Sequence, residues 1–487
     1  MKTKFKIFAI LLLLTNTAIS QTIRFEKYFT KGYYGGGASV IKKDNNYFIA
    51  AIQGNASSLA SMNVYFIKTN LWGDTICTKI IDNGEADRLY AMALTNDNNI
   101  ICAGSYQNSN STGNEEIYLV KFNLFCDTIW TKKINPTNTG IYPLEISVLQ
   151  NGDMLISGFF YTSTGGAGCG DNKIGFLMLL DSLGSQNRFR SFGYSEKINT
   201  IRDFCLANNN CLIISGTDTR SANYYSNSDD PYIAKLDSNW NFVWFKWLGE
   251  RDDDDGGSLI KLSDGNYIAM VSSLKDEYYA REKLNFLKFS EAGNILIDKK
   301  YDIWDTDYFT EIILCSDGGF AIVGISYSNG FLLKLNSTGD SLWCRNYGGN
   351  KIYDIKQTSD GGFIMTGQTY SYNPASGGSS VLLLKVDNLG LLVLGENELN
   401  MFNDIELKEP YPNPCIDFCT IEFKISKKYQ NAKFLIFNIQ GKQLLDESLN
   451  LSQDKLKLEM SAYTKGTYLG VLVVDGYNVG EVKIVKE

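Results

Sequence analysis

The residues best suited to chemistry in this sequence are carboxylates and tyrosines in segments typical of loops. The candidates for a ligand face are an acidic run followed by two glycines and a tyrosine pair in a polar stretch, namely Asp252, Asp253, Asp254, Asp255, Tyr224 and Tyr225. Oxygen ligands on glycine-rich loops can hold calcium, and an exposed aromatic ring offers a flat surface to a sugar. The acidic run lacks the D-x-D-x-D-G spacing of a calcium loop, so a solvated charged turn is the favoured interpretation. For the tyrosines, packing over neighbouring loops is an equal alternative.

Histidine is absent from the 487 residues, and this excludes a Ser-His-Asp triad, a histidine zinc site and a histidine general base. The G-x-S-x-G pattern of a serine nucleophile is also missing. Two carboxylates can cleave a glycosidic bond without histidine, but the sequence does not show which carboxylates converge. No cofactor is predicted, and calcium is kept as an optional ion for the acidic run.

The charge and composition exclude some classes of partner. Asp plus Glu total 54 against 46 Lys plus Arg, a formal net charge of −8, so affinity for nucleic acid is not expected. Hydrophobic residues make up 44% of the chain and only seven residues are proline, which favours folded β-structure over disorder.

The N-terminus has the pattern of a secretory signal peptide. Three lysines among the first six residues precede an apolar run over residues 7–14, and small residues follow, so cleavage is predicted between Ser20 and Gln21. The apolar run is shorter than the roughly 20 residues that a membrane span needs. No later stretch is long and apolar enough, and no transmembrane span is predicted.

One unit of sequence recurs seven times. The copies DNNYFIAA, DNNIICAG, NGDMLISG, NNCLIISG, DGNYIAMV, DGGFAIVG and DGGFIMTG begin at Asp44, Asp97, Asn151, Asn209, Asp264, Asp317 and Asp360. Gly and Asn at these places adopt the positive φ that a tight hairpin needs. An alternating strand precedes each turn, and a third strand, a second turn and a fourth strand follow. Four strands in each unit of about 40 to 60 residues predict an all-β fold, a β-propeller of seven four-stranded blades.

The ends of the repeat region predict how the ring closes. The seventh unit stops after its third strand, and Ile23–Phe29 resembles the missing fourth strand. Pairing of this segment with residues 381–387 would remove the open edges of the sheet. The sequence pattern resembles that of secreted bacterial propeller-type repeats, a likeness that implies architecture and not activity.

The ten cysteines include no C-x-x-C pair, and most are expected to be small buried apolar residues. Cys205 and Cys211 flank one turn, where a bridge is conceivable. Cys415 and Cys419 are either a local bridge or two reduced residues.

After residue 394 the pattern changes, and short alternating strands between glycine turns predict a small Ig-like β-sandwich. Its motifs are YPNP (Tyr411–Pro414), F-NIQGK (Phe437–Lys442), KGTYLGVL (Lys465–Leu472) and a KIVKE ending. Together they resemble the C-terminal sorting domain of the type IX secretion system. The predicted domains are a signal peptide (1–20), a propeller (21–394), a linker (395–409) and a secretion domain (410–487).

The resemblance implies export across two membranes, with the secretion machinery as a partner. The protein would be released or held at the outer-membrane surface. Cys415 and Cys419 depart from the usual pattern of that family.

The topology predicts a working face. In a four-stranded blade the tight turns share one side and the long loops share the other, and ligand-binding residues concentrate on such loops. The long loops lie near residues 106–115, 160–173, 217–231, 250–257 and 272–283. This face is expected to be acidic and aromatic, with Asp218, Asp229, Asp230, Asp305, Asp307, Tyr278 and Tyr279 on it besides the first candidates. The predicted function is a binding or structural scaffold for a glycan or protein; the alternative is a glycan-active hydrolase or lyase that uses carboxylates of this face.

Overall fold

The computed structural model describes most of the chain after the signal peptide. The described residues are 23–30, 32–54, 62–84, 86–107, 115–161, 173–193, 198–219, 229–248, 256–274, 282–326, 329–370, 378–392, 405–425, 432–438, 443–450, 453–474 and 477–487. The predicted signal peptide and cleavage site lie outside these ranges. Within them no helix is long and apolar enough to cross a membrane.

Seven four-stranded antiparallel blades form the propeller within the described ranges, as predicted; five are separate sheets, and blades five and six share one strand in a continuous seven-stranded sheet. Blade one contains β2–β5, blade two β6–β9, blade three β10–β13, blade four β14–β17, blade five β18–β21, blade six β21–β24 and blade seven β25–β27 with β1. The strands are β1 (Phe25–Phe29), β2 (Tyr34–Lys43), β3 (Asn46–Gly54), β4 (Met62–Asn70), β5 (Thr75–Ile81), β6 (Asp87–Leu94), β7 (Ile100–Gln107), β8 (Glu115–Phe122), β9 (Thr128–Ile134), β10 (Ile141–Val148), β11 (Met154–Tyr161), β12 (Lys173–Leu180), β13 (Gln186–Ser191), β14 (Asp203–Leu206), β15 (Leu212–Thr219), β16 (Asp229–Leu236), β17 (Phe242–Trp247), β18 (Gly256–Lys261), β19 (Tyr267–Leu274), β20 (Glu282–Phe289), β21 (Ile295–Leu314), β22 (Phe320–Ser326), β23 (Asn329–Leu335), β24 (Ser341–Tyr347), β25 (Asn350–Gln357), β26 (Phe363–Thr369) and β27 (Ser380–Val386).

The middle strands of each blade carry the core. Strands such as β22 and β26 are buried along their whole length, because neighbouring blades cover both faces, whereas the outer strand β9 alternates between partly buried and exposed residues. The long strand β21 runs from the outer edge of blade five to the inner edge of blade six.

The repeated Asp and Lys of the sequence units form ion pairs. In four blades the turn aspartate is held by a lysine of the third strand, with N–O distances of 2.7–3.0 Å: Asp97–Lys121, Asp264–Lys288, Asp317–Lys334 and Asp360–Lys385. The turn glycines adopt positive φ as expected, for example 77° at Gly318. The motif therefore recurs because each copy fixes the hairpin between the first two strands of a blade.

The N-terminal strand closes the ring, which confirms that prediction. Strand β1 pairs with β27 from Phe25 opposite Lys385 to Phe29 opposite Val381. Just before this ladder, the Arg24 guanidinium lies 2.7 Å from the carboxylate of Asp387.

Neighbouring blades meet at a repeated joint. The second turn of a blade places a residue with positive φ against the outer strand of the blade before it. At Gly184 (φ 79°) a Cβ would lie 3.2 Å from the ring of Trp130, and at Gly390 (φ 71°) it would lie 2.6 Å from that of Trp343. The joint between blades one and two instead contains a disulfide, Cys77–Cys126.

The remaining described cysteines are thiols, including Cys205 and Cys211, so the bridge considered between those two is not formed. Cys102 and Cys315 are buried in the core, as expected of small apolar residues.

The C-terminal region folds as two packed sheets. One contains β28 (Glu406–Leu407), β29 (Phe418–Lys424) and β32 (Lys455–Glu459); the other contains β30 (Ala432–Asn438), β31 (Gln443–Ser448), β33 (Gly466–Val474) and β34 (Tyr477–Lys486). Both contribute to one core, for example through Ile421 and Phe423 on one side and Phe434 and Ile484 on the other. An Ig-like strand order stays a prediction. Strand β28 lies within the predicted linker and pairs with β29.

The C-terminal domain packs against the propeller next to the closing blade. Leu389 and Leu391, in the turn after β27, form an apolar cluster with Leu435, Phe437 and Val471. Because these five side chains are nearly fully buried, the contact removes an apolar face of each domain from water.

Candidate functional site

A cavity of about 730 Å³ lies at the centre of the propeller. Its walls come from the first strand of each of the seven blades, or from the residue just before it, and from the ends of β3 and β26. Those strand ends lead into the long loops. The cavity therefore occupies the half of the central channel nearer to the predicted working face.

Bulges in the inner strands direct residues into this cavity. In six of the seven blades the first strand shifts register against the second strand, which leaves an extra residue on the inner strand. Among these extra residues are Tyr90, Leu144, Thr310 and Tyr353, and all four line the cavity.

Four blades place a carboxylate at one equivalent position of this inner wall. They are Glu145 in blade three, Asp203 in blade four, Glu311 in blade six and Asp354 in blade seven. Small residues take the position in the other blades, namely Ser39, Ala91 and Ser258. The result is a partial ring of acidic groups around the cavity.

Asp203 and Asp354 hold adjacent blades together. One oxygen of each carboxylate accepts a hydrogen bond from the backbone N–H of the following residue. The other oxygen accepts hydrogen bonds from a backbone N–H and a serine hydroxyl of the next blade. The donors to Asp203 are the Leu259 N–H (2.6 Å) and Ser258 Oγ (3.3 Å), and those to Asp354 are the Val40 N–H (2.8 Å) and Ser39 Oγ (2.7 Å). These two groups are structural ties as well as cavity walls.

Lys356 places a positive charge inside the ring. Its Nζ lies 2.6 Å from Oδ1 of Asp354. Burial alone would lower the pKa of this ammonium, but the carboxylates of Asp354 and Glu311 outweigh burial and raise it. Lys356 is therefore charged at neutral pH, and two arginines that line the same cavity, Arg88 and Arg202, add to the positive charge.

The other carboxylates hold their protons more tightly than usual. Burial, and next the charges of Asp203 and Glu311, raise the pKa of Glu145 well above its ordinary value. Burial raises the pKa of Glu311 to about 8, although Lys356 opposes the shift, and raises that of Asp203 to about 6 although three hydrogen bonds favour its ionised form. Glu311 therefore keeps its proton to a higher pH than Asp203 does.

This combination can bind a polar ligand and can also move protons. A protonated carboxyl donates a hydrogen bond and an ionised one accepts it, and carboxylates with separated pKa values are the usual acid and base of an active site. Three flat or apolar groups, Tyr34, Tyr353 and Phe309, line the same space.

The loop residues chosen from the sequence lie outside the described ranges. This applies to Asp252–Asp255, to Tyr224 and Tyr225, and to Tyr278 and Tyr279, so their place on the working face stays a prediction. Near residues 250–257, only the two glycines after the acidic run are described; they belong to β18.

Other residues expected on the acidic loops lie within strands instead. Asp218 and Asp230 are buried and stand opposite each other in β15 and β16, and Trp247 Nε1 donates to Asp218 Oδ2 at 2.9 Å. These two lie near the loop ends of their strands but are buried, because the strands extend further into the predicted loop. Asp229 is the first residue of β16, and Asp305 and Asp307 belong to the continuous strand β21.

The inner carboxylates were missed, although the sequence contains a signal for them. Each lies six residues before the Asp or Asn on which the repeats align, as Glu145 does before Asn151 and Glu311 before Asp317. The acidic residue interrupts an otherwise apolar strand. In a propeller the first strand faces the axis, so acids at one repeated position predict a ring around it.

A metal site is not apparent in the described part of the chain. No three cysteine or acidic side chains there are arranged to hold an ion. Calcium at the acidic run stays an untested possibility of the sequence.

Comparison with known proteins identifies the C-terminal domain. Residues 409–487 match the family described as the secretion system C-terminal sorting domain. No curated protein sequence matches the chain significantly.

Several solved structures resemble the chain at low identity. An ulvan lyase, a polysaccharide lyase bound to -[GlcA(1-4)Rha3S]-, aligns with a TM-score of 0.46 and 10% identity over 74% of this chain and 96% of its own. A puromycin hydrolase mutant aligns with a TM-score of 0.46 and 10% identity over 80% and 58%, and a Penicillium chrysogenum α-L-arabinanase with arabinobiose aligns with 0.43 and 13% over 61% and 92%. Such scores carry no conclusion about the activity of this chain. Its own sheets and its C-terminal match show that it is a seven-bladed β-propeller that ends in a C-terminal sorting domain of the type IX secretion system.

Proposed function

We propose that the chain is an exported binding protein and that its central cavity takes a short glycan. One observation carries the proposal: a cavity of about 730 Å³, in the usual size range of ligand sites, joins aromatic surfaces to convergent charged groups. Glycans present hydroxyls that both donate and accept hydrogen bonds, together with apolar ring faces. Arg88 and protonated Glu311 supply donors, Asp203 supplies an acceptor, and Tyr353 supplies a flat surface.

The sorting domain supports the place of action. It addresses the folded propeller to export, and we infer that the signal peptide first takes the chain to the periplasm. The partner for the second step is the secretion machinery, and the ligand would then be met outside the cell or at its surface.

The loop candidates form an outer part of the same proposal. Tyr224 and Tyr225 would extend the aromatic surface, and Asp252–Asp255 would add acidic groups where the cavity meets the long loops. Calcium at this acidic run belongs to the proposal as an optional ligand.

A second candidate function is a glycan-active hydrolase or lyase. The raised pKa of Glu311 beside the lower pKa of Asp203 favours it, because an acid and a base then share one cavity. Asp203 is also a tie between blades, which makes Glu145 and Glu311 the freer choice for proton transfer.

A glycan array with the mature chain, read beside a reducing-sugar release assay, tests both functions. We expect Tyr353→Ala and Arg88→Ala to abolish glycan binding, while Asp153→Asn, in a tight turn on the other face, leaves it unchanged. Release of reducing ends that is lost in Glu311→Gln, with binding retained, would favour the enzyme. Binding that survives Tyr353→Ala and Arg88→Ala but is lost on changing the tight turns would show that the working face is on the other side of the propeller.

A further inference from the structure

A hairpin in the sorting domain is hydrogen-bonded to the last residues of the chain. Tyr411 and Thr420 exchange backbone hydrogen bonds of 3.0 and 2.8 Å and close the segment between them. Inside it, Asn413 donates to the Lys483 carbonyl (2.7 Å) and accepts from the Val485 N–H (2.8 Å). The YPNP motif thus binds the KIVKE ending directly.

Cys415 also contacts the end of the chain. Its N–H donates to the Val485 carbonyl at 2.8 Å, and its carbonyl accepts from the Glu487 N–H at 2.9 Å. We call the segment Tyr411–Thr420 the terminal clamp, because four hydrogen bonds join Asn413 and Cys415 to residues 483–487 at the end of the chain.

Two cysteines lie side by side within the terminal clamp. Cys415 and Cys419 are both fully buried in the core between the two sheets, where the nearby Cys415 thiol helps to raise the pKa of Cys419. Cys419 belongs to β29 of the three-stranded sheet, whereas Cys415 pairs with Lys486 of the other sheet. The pair therefore occupies the seam of the sandwich.

We propose that Cys415 and Cys419 are oxidised to a disulfide in the periplasm, and that this bond fixes the terminal clamp around the C-terminal strand. The proposal rests on the export route of the proposed function. It concerns the form of the sorting domain that the secretion machinery meets.

The reaction is a thiol–disulfide exchange. The two thiols give up two protons and two electrons and form one S–S bond, and the disulfide of an oxidant, a protein thiol oxidase or oxidised glutathione, is reduced to two thiols. Burial and the neighbouring thiol raise the pKa of Cys419 to about 12, so exchange must precede complete packing or use a transient opening. The Cys77–Cys126 bridge indicates a chain suited to an oxidising compartment.

The test is a peptide map of the full chain from two compartments. The chain expressed with its signal peptide is purified from the periplasm, and the chain expressed from Gln21 onward is purified from a reducing cytoplasm. Both samples are denatured and alkylated before any disulfide is reduced. We expect the peptide with both cysteines to carry no alkyl group in the periplasmic sample and two in the cytoplasmic sample. The buried Cys102 must be alkylated in both, which shows that the label reached core thiols.

Amide exchange tests the mechanical part of the proposal. In the oxidised chain, exchange at residues 483–487 should be several-fold slower than in the reduced chain, and Cys415→Ala with Cys419→Ala should abolish that difference. The matched control Cys102→Ala should keep it. Equal exchange in the oxidised and reduced chains would show that the bond does not fix the terminal clamp.

Failure of the disulfide can be told from failure of export. Alkylation of Cys415 and Cys419 beside an intact Cys77–Cys126 bridge would overturn the proposal while export stands. If Cys77 is also alkylated, the chain did not reach an oxidising compartment. Incubation of the purified chain with oxidised and reduced glutathione then decides, and no bond at Cys415 under conditions that form Cys77–Cys126 overturns the proposal.

Discussion

Cys77 and Cys126 form a disulfide at the joint between blades one and two, in the place where Trp130 packs over Gly184 at the next joint. The outer strands TICTKI and TIWTKK align residue for residue, as do the turns NLFCD and DSLGS. The joint between blades three and four contains a cation–π contact instead, in which the Arg188 guanidinium lies 4.0 Å from the ring centre of Trp240. The same backbone geometry is thus secured by a covalent bond, an aromatic contact or a cation–π contact.

The disulfide should be replaceable by the contact that its neighbour uses. Changing Cys77 and Cys126 both to alanine should cost about 3–4 kcal/mol, because the bridge closes a loop of intermediate length. Cys77→Trp with Cys126→Gly should recover part of that loss in thermal unfolding, since it restores an aromatic ring over a glycine with positive φ. A Trp–Gly variant no more stable than the double alanine would contradict the equivalence of the joints.

Asp203 and Asp354, which tie adjacent blades together, should contribute to the free energy of unfolding, whereas Glu145 should contribute little. Asp203→Ala leaves the Leu259 N–H without its acceptor, and loss of such a buried partner costs about 1–3 kcal/mol. Glu145→Ala, the same position one blade earlier, makes no such tie and should change the urea midpoint little. Equal destabilisation by both variants would argue against the special role of Asp203.

Glu311 should make the protein less stable as the pH rises. The pKa of its carboxyl is about 8 in the folded chain against an ordinary value of 4.5, so the folded state binds the proton more tightly. That stabilisation is complete below about pH 4.5 and is lost as the pH rises through about 8. Melting temperatures of the wild type and Glu311→Gln should therefore shift in favour of the variant between pH 5 and pH 8. A constant difference would mean that Glu311 titrates normally.

Removal of the N-terminal strand should open the ring. Deletion of residues 21–30 is expected to lower the free energy of unfolding by several kcal/mol, because it removes a partly buried strand and its hydrogen-bonded ladder with β27. Differential scanning calorimetry of this deletion, beside a chain that begins at Gln21, measures the effect. An unchanged transition would show that blade seven is stable with three strands.

The contact between the propeller and the sorting domain should depend on one turn residue. Leu389→Asp places a charge in the apolar cluster with Phe437 and should let the domains separate, which small-angle scattering detects as an increased radius of gyration. Leu183→Asp is the matched control, because Leu183 has the equivalent turn position in blade three and is exposed. Identical scattering for both variants would mean that Leu389 does not hold the domains together.

Much of the fold could be predicted because it depends on repetition. Gly318 and Gly361 signal the same hairpin in successive blades, and the unpaired seventh unit signals that Ile23–Phe29 returns to it. The sorting domain was recognisable from motifs that the structure brings together, such as Asn413 beside Lys483.

The candidate site was harder to predict, because a pattern along the chain does not show which side chains meet across a ring. Glu145 and Glu311 are far apart in sequence, and only the closure of the ring brings the Glu311 carboxyl close enough to raise the pKa of Glu145. Asp218 and Asp230 were expected in the long loops but are buried in strands. An acidic side chain next to a long loop gives no sign in the sequence that it belongs to a buried strand pair.

The salt bridge between Arg24 and Asp387 joins the part of the propeller that is synthesised first to the part that is synthesised last. Asp387 also accepts the N–H groups of Leu389 and Leu391, at 2.9 and 2.7 Å, and so shapes the turn that contacts the sorting domain. Strand β1 is synthesised first but pairs with the last blade, a contact of very high sequence separation that forms slowly. The sorting domain therefore packs against the part of the ring that is completed last. We expect it to dock only in chains whose first and last propeller strands have paired.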